Sequence, residues 1–319
     1  MKTLYWLSKK YCNSINFVKF QNKFAIKIKD RAANYISEKV SYMGIKEHVS
    51  FVSEIFYKLK ISLNGTGMEM GAGASIFSNS LLKIFPRINK IYAVEIVPEQ
   101  VFKLIPKICS YNKSQNKVVP VLGSYDNIKL KKNSLDFIVE WDSFHHSQNL
   151  EKTLREAYRA LKPSGTLIMV DRFHFNLSSS QVDFMENIEY SKAYKATHGH
   201  KSNIRFTRKD NTEHEILLRE WKSLFNKVGF TLNTIAIFQK KNFKIFVKAL
   251  VSLIPFKIRY SLKFYPYLTI DWMYIPYYLM ASFKSFKYDK SLCLFFPLVT
   301  NFRSKEAPMR KSVLVVSKQ

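Results

Sequence analysis

Short apolar runs alternate with amphipathic stretches along residues 67–170. Apolar runs of strand length predict buried strands, and the amphipathic stretches between them predict helices. The predicted strands are residues 91–96, 118–122, 137–139 and 166–170. A helix is predicted at residues 150–161, where Pro163 and Gly165 then turn the chain. This rhythm is typical of an α/β domain built around a parallel sheet.

Further elements are predicted on both sides of this region. Apolar residues at helical spacing, such as Ile36 and Val40 and then Phe51, Ile55 and Leu59, predict helices before the sheet. After the sheet region, the pattern predicts a helix at residues 213–227, with Gly229 as its stop signal. It also predicts two more strands, at residues 231–238 and 312–317.

The segment before the last strand departs from the βα rhythm. Residues 241–307 are rich in aromatic and basic side chains and contain several prolines, which predicts a helical insertion. The predicted organisation is a helical segment at 1–60, a core at 61–240, the insertion at 241–307 and a final core strand at 308–319.

Charge and cysteine content narrow the partners and the compartment. The 319 residues carry a formal net charge of +27, which suits a nucleic acid, an anionic membrane surface or an acidic substrate. A lysine-rich solvated surface explains the charge equally well. The three cysteines, Cys12, Cys109 and Cys293, are far apart, which favours a reducing, cytoplasmic compartment over a disulfide framework. The apolar stretch at the N-terminus is too short for a signal peptide.

The most informative segment is the glycine-containing turn at residues 68–75. Gly71 and Gly73 lie where a strand turns into a helix, and glycine lets the backbone pass close to a ligand. The next strand ends in Glu95, whose carboxylate can accept both hydroxyls of a ribose. Ser75 replaces the third glycine of a dinucleotide-binding loop, and Glu69 would repel a pyrophosphate. Because Glu69 suits the positively charged amino and sulfonium groups of S-adenosylmethionine, the residues favour that methyl donor.

An ordered series of motifs resembles the class I methyltransferases, in particular the branch called methyltransferase type 11. The motifs are Met68-Glu69-Met70-Gly71-Ala72-Gly73, Val94-Glu95-Ile96-Val97-Pro98-Glu99, Ser134-Leu135-Asp136-Phe137, Phe144-His145-His146 and Arg159-Ala160-Leu161-Lys162-Pro163-Ser164-Gly165. The resemblance covers about residues 65–172. It implies a Rossmann-like, doubly wound α/β sheet and an S-adenosylmethionine-dependent methyltransferase.

The resemblance also implies roles for single residues. Glu69, Gly71 and Gly73 would line the methionine portion of the cofactor, and Glu95 would bind the ribose. The family commonly places an aspartate after the third strand to meet the adenine amino group, whereas this chain has Ser124, so Ser124 or Asp126 is expected to substitute. The expected cofactor-binding residues are Glu69, Gly71, Ala72, Gly73, Glu95, Ile96, Ser124, Tyr125 and Glu140.

Methyl transfer from an activated sulfonium chiefly requires alignment of the acceptor, with a base only where the acceptor must lose a proton. Glu140 and Asp142 follow the fourth strand and are candidates to orient or deprotonate an acceptor, with Trp141 as a wall. A contact of Glu140 with the cofactor alone is the alternative. His145 is a third catalytic candidate because histidine titrates near neutral pH. In the family, His145 and His146 usually belong to a turn, so a structural role stays open.

No metal site is predicted. His198 and His200 invite a metal hypothesis, as does His214 with Glu215. However, Leu218 occupies the position where a zinc-binding helix would carry its second histidine.

The insertion leaves three roles open: a lid over the substrate, peripheral contact with an anionic membrane, or a subunit interface. Its most apolar part, residues 265–283, contains Pro266, Asp271 and Pro276, which disfavours a membrane span. We expect a cytoplasmic protein, open to peripheral membrane contact, and the oligomeric state is not predicted.

Methyl transfer to a small or lipid-linked acceptor is the leading hypothesis, because the extra segments supply apolar and aromatic wall. An RNA methyltransferase would suit the charge. It ranks lower because Glu140-Trp141-Asp142 stands where an Asn/Asp-Pro-Pro-Tyr sequence would suit methylation of a base amine. A non-catalytic scaffold that retains the fold is the third hypothesis.

Overall fold

The computed structural model describes residues 1–15, 18–19, 45–174, 177–192, 195, 203–239, 258, 298–301, 303 and 310–319. Three features singled out in the sequence lie outside these residues. They are the helical spacing at Ile36 and Val40, the pair His198 and His200, and nearly all of residues 241–307.

One mixed sheet is formed by the nine strands found among the described residues. The strands are β1 (Leu4–Tyr5), β2 (Gly65–Met70), β3 (Ile88–Glu95), β4 (Val118–Leu122), β5 (Leu135–Trp141), β6 (Leu161–Asp171), β7 (Phe230–Gln239), β8 (Leu298–Asn301) and β9 (Arg310–Lys318). They lie in the order β1-β4-β3-β2-β5-β6-β9-β7-β8. All neighbours pair in parallel except β6 with β9 and β9 with β7. The predicted doubly wound α/β sheet is confirmed.

Helices cover both faces of the sheet. They are α1 (Lys9–Ser14), α2 (Ile45–Lys58), α3 (Ile76–Ile84), α4 (Ile105–Asn112), α5 (Leu150–Ala160), α6 (Ser179–Glu186) and α7 (Leu218–Val228). A π-helical turn, Gln100–Leu104, leads into α4, and short 3-10 turns lie at Phe144–His146 and Lys209–Asn211.

Two apolar layers bury the two faces of the sheet. Phe51, Ile55 and Leu59 of α2 pack in one layer, which confirms the helical face read from their spacing. On the other face, α5 buries Leu154 and Ala157. Asn149 caps α5 by accepting a hydrogen bond from the backbone N–H of Lys152, and the chain then turns directly into β6. Among the described residues, no helix is both long enough and apolar enough to cross a membrane.

Three sequence predictions are corrected by the structure. The helix expected at residues 213–227 begins only at Leu218, because the preceding residues extend along a bridge between His174 and Leu217. Leu4–Tyr5, within the segment expected to be helical, forms a parallel strand with β4 at the sheet edge. Leu298–Asn301, within the insertion expected to be helical, is a strand paired with β7. In both strands the pairing partner lies far away in sequence, so local periodicity carries no signal.

Candidate functional site

A cavity of about 670 Å³, here called the first cavity, opens at the carboxyl ends of the central strands. From β2 the chain winds to β3 and β4 on one side, whereas β5 and β6 lie on the other. Open α/β sheets bind ligands at such a reversal of strand order. The lining includes most residues expected to bind the cofactor, namely Glu69, Gly71, Ala72, Gly73, Glu95, Ile96, Ser124 and Tyr125.

The turn after β2 leaves room for a ligand at Gly73. Gly71 and Gly73 have φ angles of +74° and +51°, a region that favours glycine. A Cβ at Gly71 would lie 1.8 Å from Ser143 Oγ, so packing within the protein explains this glycine. A Cβ at Gly73 would meet no heavy atom within 4 Å. The open space beside Gly73 is therefore available to a group lying against the backbone.

Glu95 fixes the geometry of this turn. Its Oε2 accepts a hydrogen bond from Gly73 N at 2.8 Å, and its Oε1 accepts from Ile96 N and Val97 N, each at 2.9 Å. Burial raises the pKa of Glu95. A carboxylate has about four acceptor positions, so these bonds leave one, on Oε2. The side chain fits one ribose hydroxyl more readily than the two expected from the sequence.

Glu69 places a second buried carboxyl in the wall of the first cavity. Its Oε2 accepts hydrogen bonds from the backbone N–H of Ser78, at 3.0 Å, and from the Ser78 hydroxyl. Burial raises the pKa of Glu69 to about 8. A positive charge nearby would lower this pKa again, because it favours the ionised form. The residue therefore suits a cationic group, such as the amino group of the expected cofactor.

The turn after β4 forms the opposite wall. Ser124 Oγ accepts a hydrogen bond from Asp126 N at 3.1 Å, and Asp126 accepts one from the hydroxyl of Thr153 on α5. Tyr125 is half-buried, and its hydroxyl lies 3.4 Å from the carbonyl oxygen of Ser143. The Ser124 hydroxyl keeps its proton for donation, so Ser124 suits an adenine nitrogen better than the amino group met by the family's aspartate.

Glu140 lies away from the first cavity, contrary to the expectation that it contacts cofactor or acceptor. The residue is fully buried and is not part of the cavity lining. Its Oε1 accepts hydrogen bonds from the backbone N–H groups of Ser143 and Phe144, at 2.5 and 3.2 Å. Burial and the negative charge of Asp171 raise its pKa. These hydrogen bonds fix the turn after β5. Trp141 lines the cavity and Glu140 does not, because alternate residues of a strand point to opposite faces.

Trp141 and Asp142, the next two residues, do line the first cavity. Asp142 forms an ion pair with Lys311 of β9, and the Lys311 ammonium lies 5.0 Å from the centre of the Trp141 ring. The His48 ring lies 4.8 Å from the Trp141 ring, with Nδ1 2.9 Å from Ser80 Oγ. Burial and the charge of Lys311 lower the pKa of His48 to about 3, so its ring is neutral. No sequence pattern pointed to His48.

His145 lies in a different, adjoining cavity of about 580 Å³, here called the second cavity. Its Nδ1 lies 2.7 Å from Oδ1 of Asp171, the last residue of β6, and both side chains are buried. His146 lines the first cavity instead. Burial and the neighbouring His145 lower the pKa of His146 to about 4. The predicted catalytic candidates thus divide, with Asp142 alone lining both cavities.

A second histidine–carboxylate pair faces the second cavity. His174 Nε2 lies 2.7 Å from Glu215 Oε2. Arg172 and Arg208 hold the adjacent Glu213, with nitrogen–oxygen distances of 2.9 and 3.0 Å. Burial would raise the pKa of Glu213, but a hydrogen bond from Tyr190 and the two arginines lower it to about 2. Sequence reasoning missed this network because its members lie up to 41 residues apart. Within the described part of the chain, no cluster of residues has the composition of a metal site.

Known proteins resemble this chain in sequence over its central region and in fold. Residues 68–169 match a family model described as a methyltransferase domain, that of methyltransferase type 11. No curated protein sequence matches the chain significantly. A Bacillus halodurans structure provisionally described as a methyltransferase aligns with a TM-score of 0.50 and 16% identity, covering 83% of this chain and 98% of that one. At that identity, the likeness shows the fold alone.

Two further structures share lower similarity. A Galdieria sulphuraria protein, provisionally described as a sarcosine dimethylglycine methyltransferase, has a TM-score of 0.47 and 16% identity, with 84% of this chain and 83% of that chain covered. An Aquifex aeolicus protein described as a SAM-dependent methyltransferase has a TM-score of 0.40 and 19% identity, with 58% and 82% covered. On the family match, residues 68–169 form a methyltransferase domain of the type 11 family, and the α/β fold agrees with that match.

Proposed function

We propose that the first cavity binds S-adenosylmethionine and that the chain transfers its methyl group to a small or lipid-linked acceptor. The observation that carries the proposal is the open space at Gly73 between two buried carboxyls, Glu69 and Glu95, at the switch point of the sheet. Two carboxyls facing one cavity suit a ligand with a cationic end and a ribose better than one with a pyrophosphate.

Different residues of the first cavity contact different parts of the ligand. Glu69 faces the cationic amino group, Glu95 holds a ribose hydroxyl through Oε2, and Ser124 with Tyr125 forms the adenine end. When bound, S-adenosylmethionine supplies a methyl group on a sulfonium; its bond to sulfur breaks as the bond to the acceptor forms, leaving S-adenosylhomocysteine. The protein's part is to align the acceptor atom with that bond.

The acceptor approaches from the side of Trp141 and Asp142. Asp142 borders both cavities, and its ion pair with Lys311 fixes the end of β5 to β9. The neutral His48 ring and the Trp141 ring pack together and present an aromatic wall to the first cavity.

Transfer of a labelled methyl group tests the proposal. The protein is incubated with methyl-labelled S-adenosylmethionine and, separately, with small-molecule, lipid and RNA fractions from cells of its source. We expect label in the small-molecule or lipid fraction, and much less label with a Gly73→Ala variant when the cofactor is subsaturating. Label in RNA would favour the base-methylating alternative instead. Absence of both transfer and cofactor binding would favour the scaffold.

Contact with an anionic membrane is a separate part of the proposal, and it rests on the basic, aromatic composition of residues 241–307. Co-sedimentation with phosphatidylserine vesicles, compared with phosphatidylcholine vesicles, is expected to show binding that salt weakens. Equal recovery with both vesicles would remove this part.

A further inference from the structure

We infer that the second cavity is the acceptor subsite and takes an uncharged polyhydroxylated group, such as a sugar or polyol, whose reacting hydroxyl gives its proton to His145. This inference rests on the proposed methyl transfer and gives the acceptor a chemical class. A lipid-linked acceptor remains compatible if its reacting end is hydroxylated.

The second cavity lies beside the first. Asp142 lines both cavities. Residues that are adjacent in sequence also line different cavities. His146 and Thr212 line the first cavity, whereas their neighbours His145 and Glu213 line the second. The rings of His145 and His146 lie 4.3 Å apart, centre to centre. A group held in the second cavity therefore lies one residue's width from the first.

The lining of the second cavity is polar and balanced in charge. Its described residues include four cationic side chains and four carboxyls, together with two histidines. The cationic ones are Arg172, Arg208, Arg310 and Lys311, and the carboxyls are Asp142, Asp171, Glu213 and Glu215. Phe173 and Met185 are the apolar side chains of the lining among the described residues. Closely interleaved donors and acceptors of balanced charge match hydroxyl groups, each of which both donates and accepts.

His145 is held in an orientation suited to accepting a proton. Asp171 accepts hydrogen bonds from His145 N at 3.0 Å and from Arg172 N at 2.6 Å, and it lies 2.7 Å from His145 Nδ1. A carboxylate at Nδ1 fixes the tautomer that carries its hydrogen there and stabilises the ring once Nε2 is protonated. As the hydroxyl oxygen bonds to the methyl carbon, its proton moves to His145 Nε2 and the electron pair of the breaking bond stays on sulfur.

His174 supplies an unsatisfied acceptor in the wall of the same cavity. The residue is 6% exposed, and its Nε2 faces Glu215. Its Nδ1 is buried and has no hydrogen-bond partner among the described residues. A buried nitrogen without a partner is costly. A turn of the His174 ring on binding would bring this nitrogen to the cavity surface, where a hydroxyl of the acceptor would donate to it and give the polyol a second contact.

Histidine side-chain NMR tests the inference on the full chain. The protein has seven histidines, so ring nitrogen signals can be assigned with single variants. S-adenosylhomocysteine is first titrated and its affinity measured, and then methyl α-glucopyranoside or n-hexanol is added as a probe. We expect saturable shifts of the His145 and His174 nitrogens with the glycoside and none with hexanol.

Variants give the matched control. His174→Gln and Glu215→Gln are expected to weaken the glycoside response of His145 at least about fivefold, the loss of one hydrogen bond, while leaving S-adenosylhomocysteine affinity unchanged. His214→Gln, at a 44% exposed side chain, is expected to change neither. Unchanged cofactor affinity shows that each variant is folded.

The outcomes separate this inference from the proposed function. Shifts with hexanol alone, with neither probe, or with the glycoside at full strength in His174→Gln would overturn the hydroxyl subsite while cofactor binding persists. Failure of S-adenosylhomocysteine to bind the unmodified protein would instead overturn the proposed function on which the inference rests.

Discussion

Replacing Ser75 by glycine is expected to stabilise the fold. Ser75 has φ +63° and ψ +32°, the left-handed conformation, at the start of α3. Its side chain is fully buried, and its Oγ has no hydrogen-bond partner among the described residues. The left-handed conformation costs a non-glycine residue about 1–2 kcal/mol, and a buried unsatisfied hydroxyl costs about 1–3 kcal/mol. Glycine removes both costs.

The gain is reduced by the greater freedom of glycine in the unfolded chain, about 0.5–1 kcal/mol. The expected net effect of Ser75→Gly is therefore an increase of about 2 kcal/mol in the free energy of unfolding. Lys113→Gly is the matched control, because Lys113 is exposed, has φ +56° and ends α4. It relieves backbone strain alone and is expected to gain about 0.5–1 kcal/mol.

Urea denaturation, monitored by tryptophan fluorescence and circular dichroism, measures both effects. Ser75→Ala completes the series, since it removes the hydroxyl and keeps the backbone strain. We expect the order Ser75→Gly above Ser75→Ala above the unmodified protein. A Ser75→Gly variant no more stable than the unmodified protein would refute the reasoning about strain and the unsatisfied hydroxyl.

Three other changes test separate parts of the structure. Because the pKa of Glu69 is raised to about 8, its carboxyl is largely protonated at pH 7, and a bound cation should release this proton. The measured heat of S-adenosylmethionine binding should therefore vary with the ionisation enthalpy of the buffer. This variation should be smaller in Glu69→Gln. Gly73→Ala should weaken cofactor binding at least about tenfold while lowering the free energy of unfolding by about 1 kcal/mol. Gly71→Ala should lower the free energy of unfolding by about 3 kcal/mol, because its Cβ meets Ser143. Equal losses of stability in the two variants would contradict this contrast. Lys318→Met should lower the free energy of unfolding, measured with denaturant, by about 2–3 kcal/mol, since the Lys318 ammonium donates to three oxygens at 2.8 Å. A change below about 0.5 kcal/mol would show that those hydrogen bonds are dispensable.

Strands β3 to β6 could be predicted from the sequence because each contains a buried apolar run. Residues 118–122 and the start of the helix at Leu150 agree with the structure. Leu4–Tyr5 and Leu298–Asn301 could not be predicted, because they are short edge strands defined by pairing with distant residues. The predicted start of α7 lies too early in the chain, since the residues before Leu218 have a helical spacing but are held extended by His174.

The lining of the first cavity is more predictable from the sequence than that of the second. Glycine turns and an acid at a strand end are local signals, and Gly73 and Glu95, which these signals single out, line the same cavity. Glu140 lies within β5, and the sequence alone does not show that its neighbour Trp141, on the other face of the strand, lines the first cavity instead. The pairs of His145 with Asp171 and His174 with Glu215 join residues 26 and 41 positions apart, and only the tertiary structure shows them.

Calorimetric titration with S-adenosylmethionine and S-adenosylhomocysteine tests the central claim most directly. The unmodified protein is compared with Glu95→Gln, which keeps the size of the side chain but removes its charge and one acceptor oxygen. We predict saturable one-to-one binding of both ligands by the unmodified protein and at least about tenfold weaker binding by the variant, as expected for a lost charged hydrogen bond. Absence of binding by the unmodified protein, or equal affinity in Glu95→Gln, would contradict the account of the first cavity.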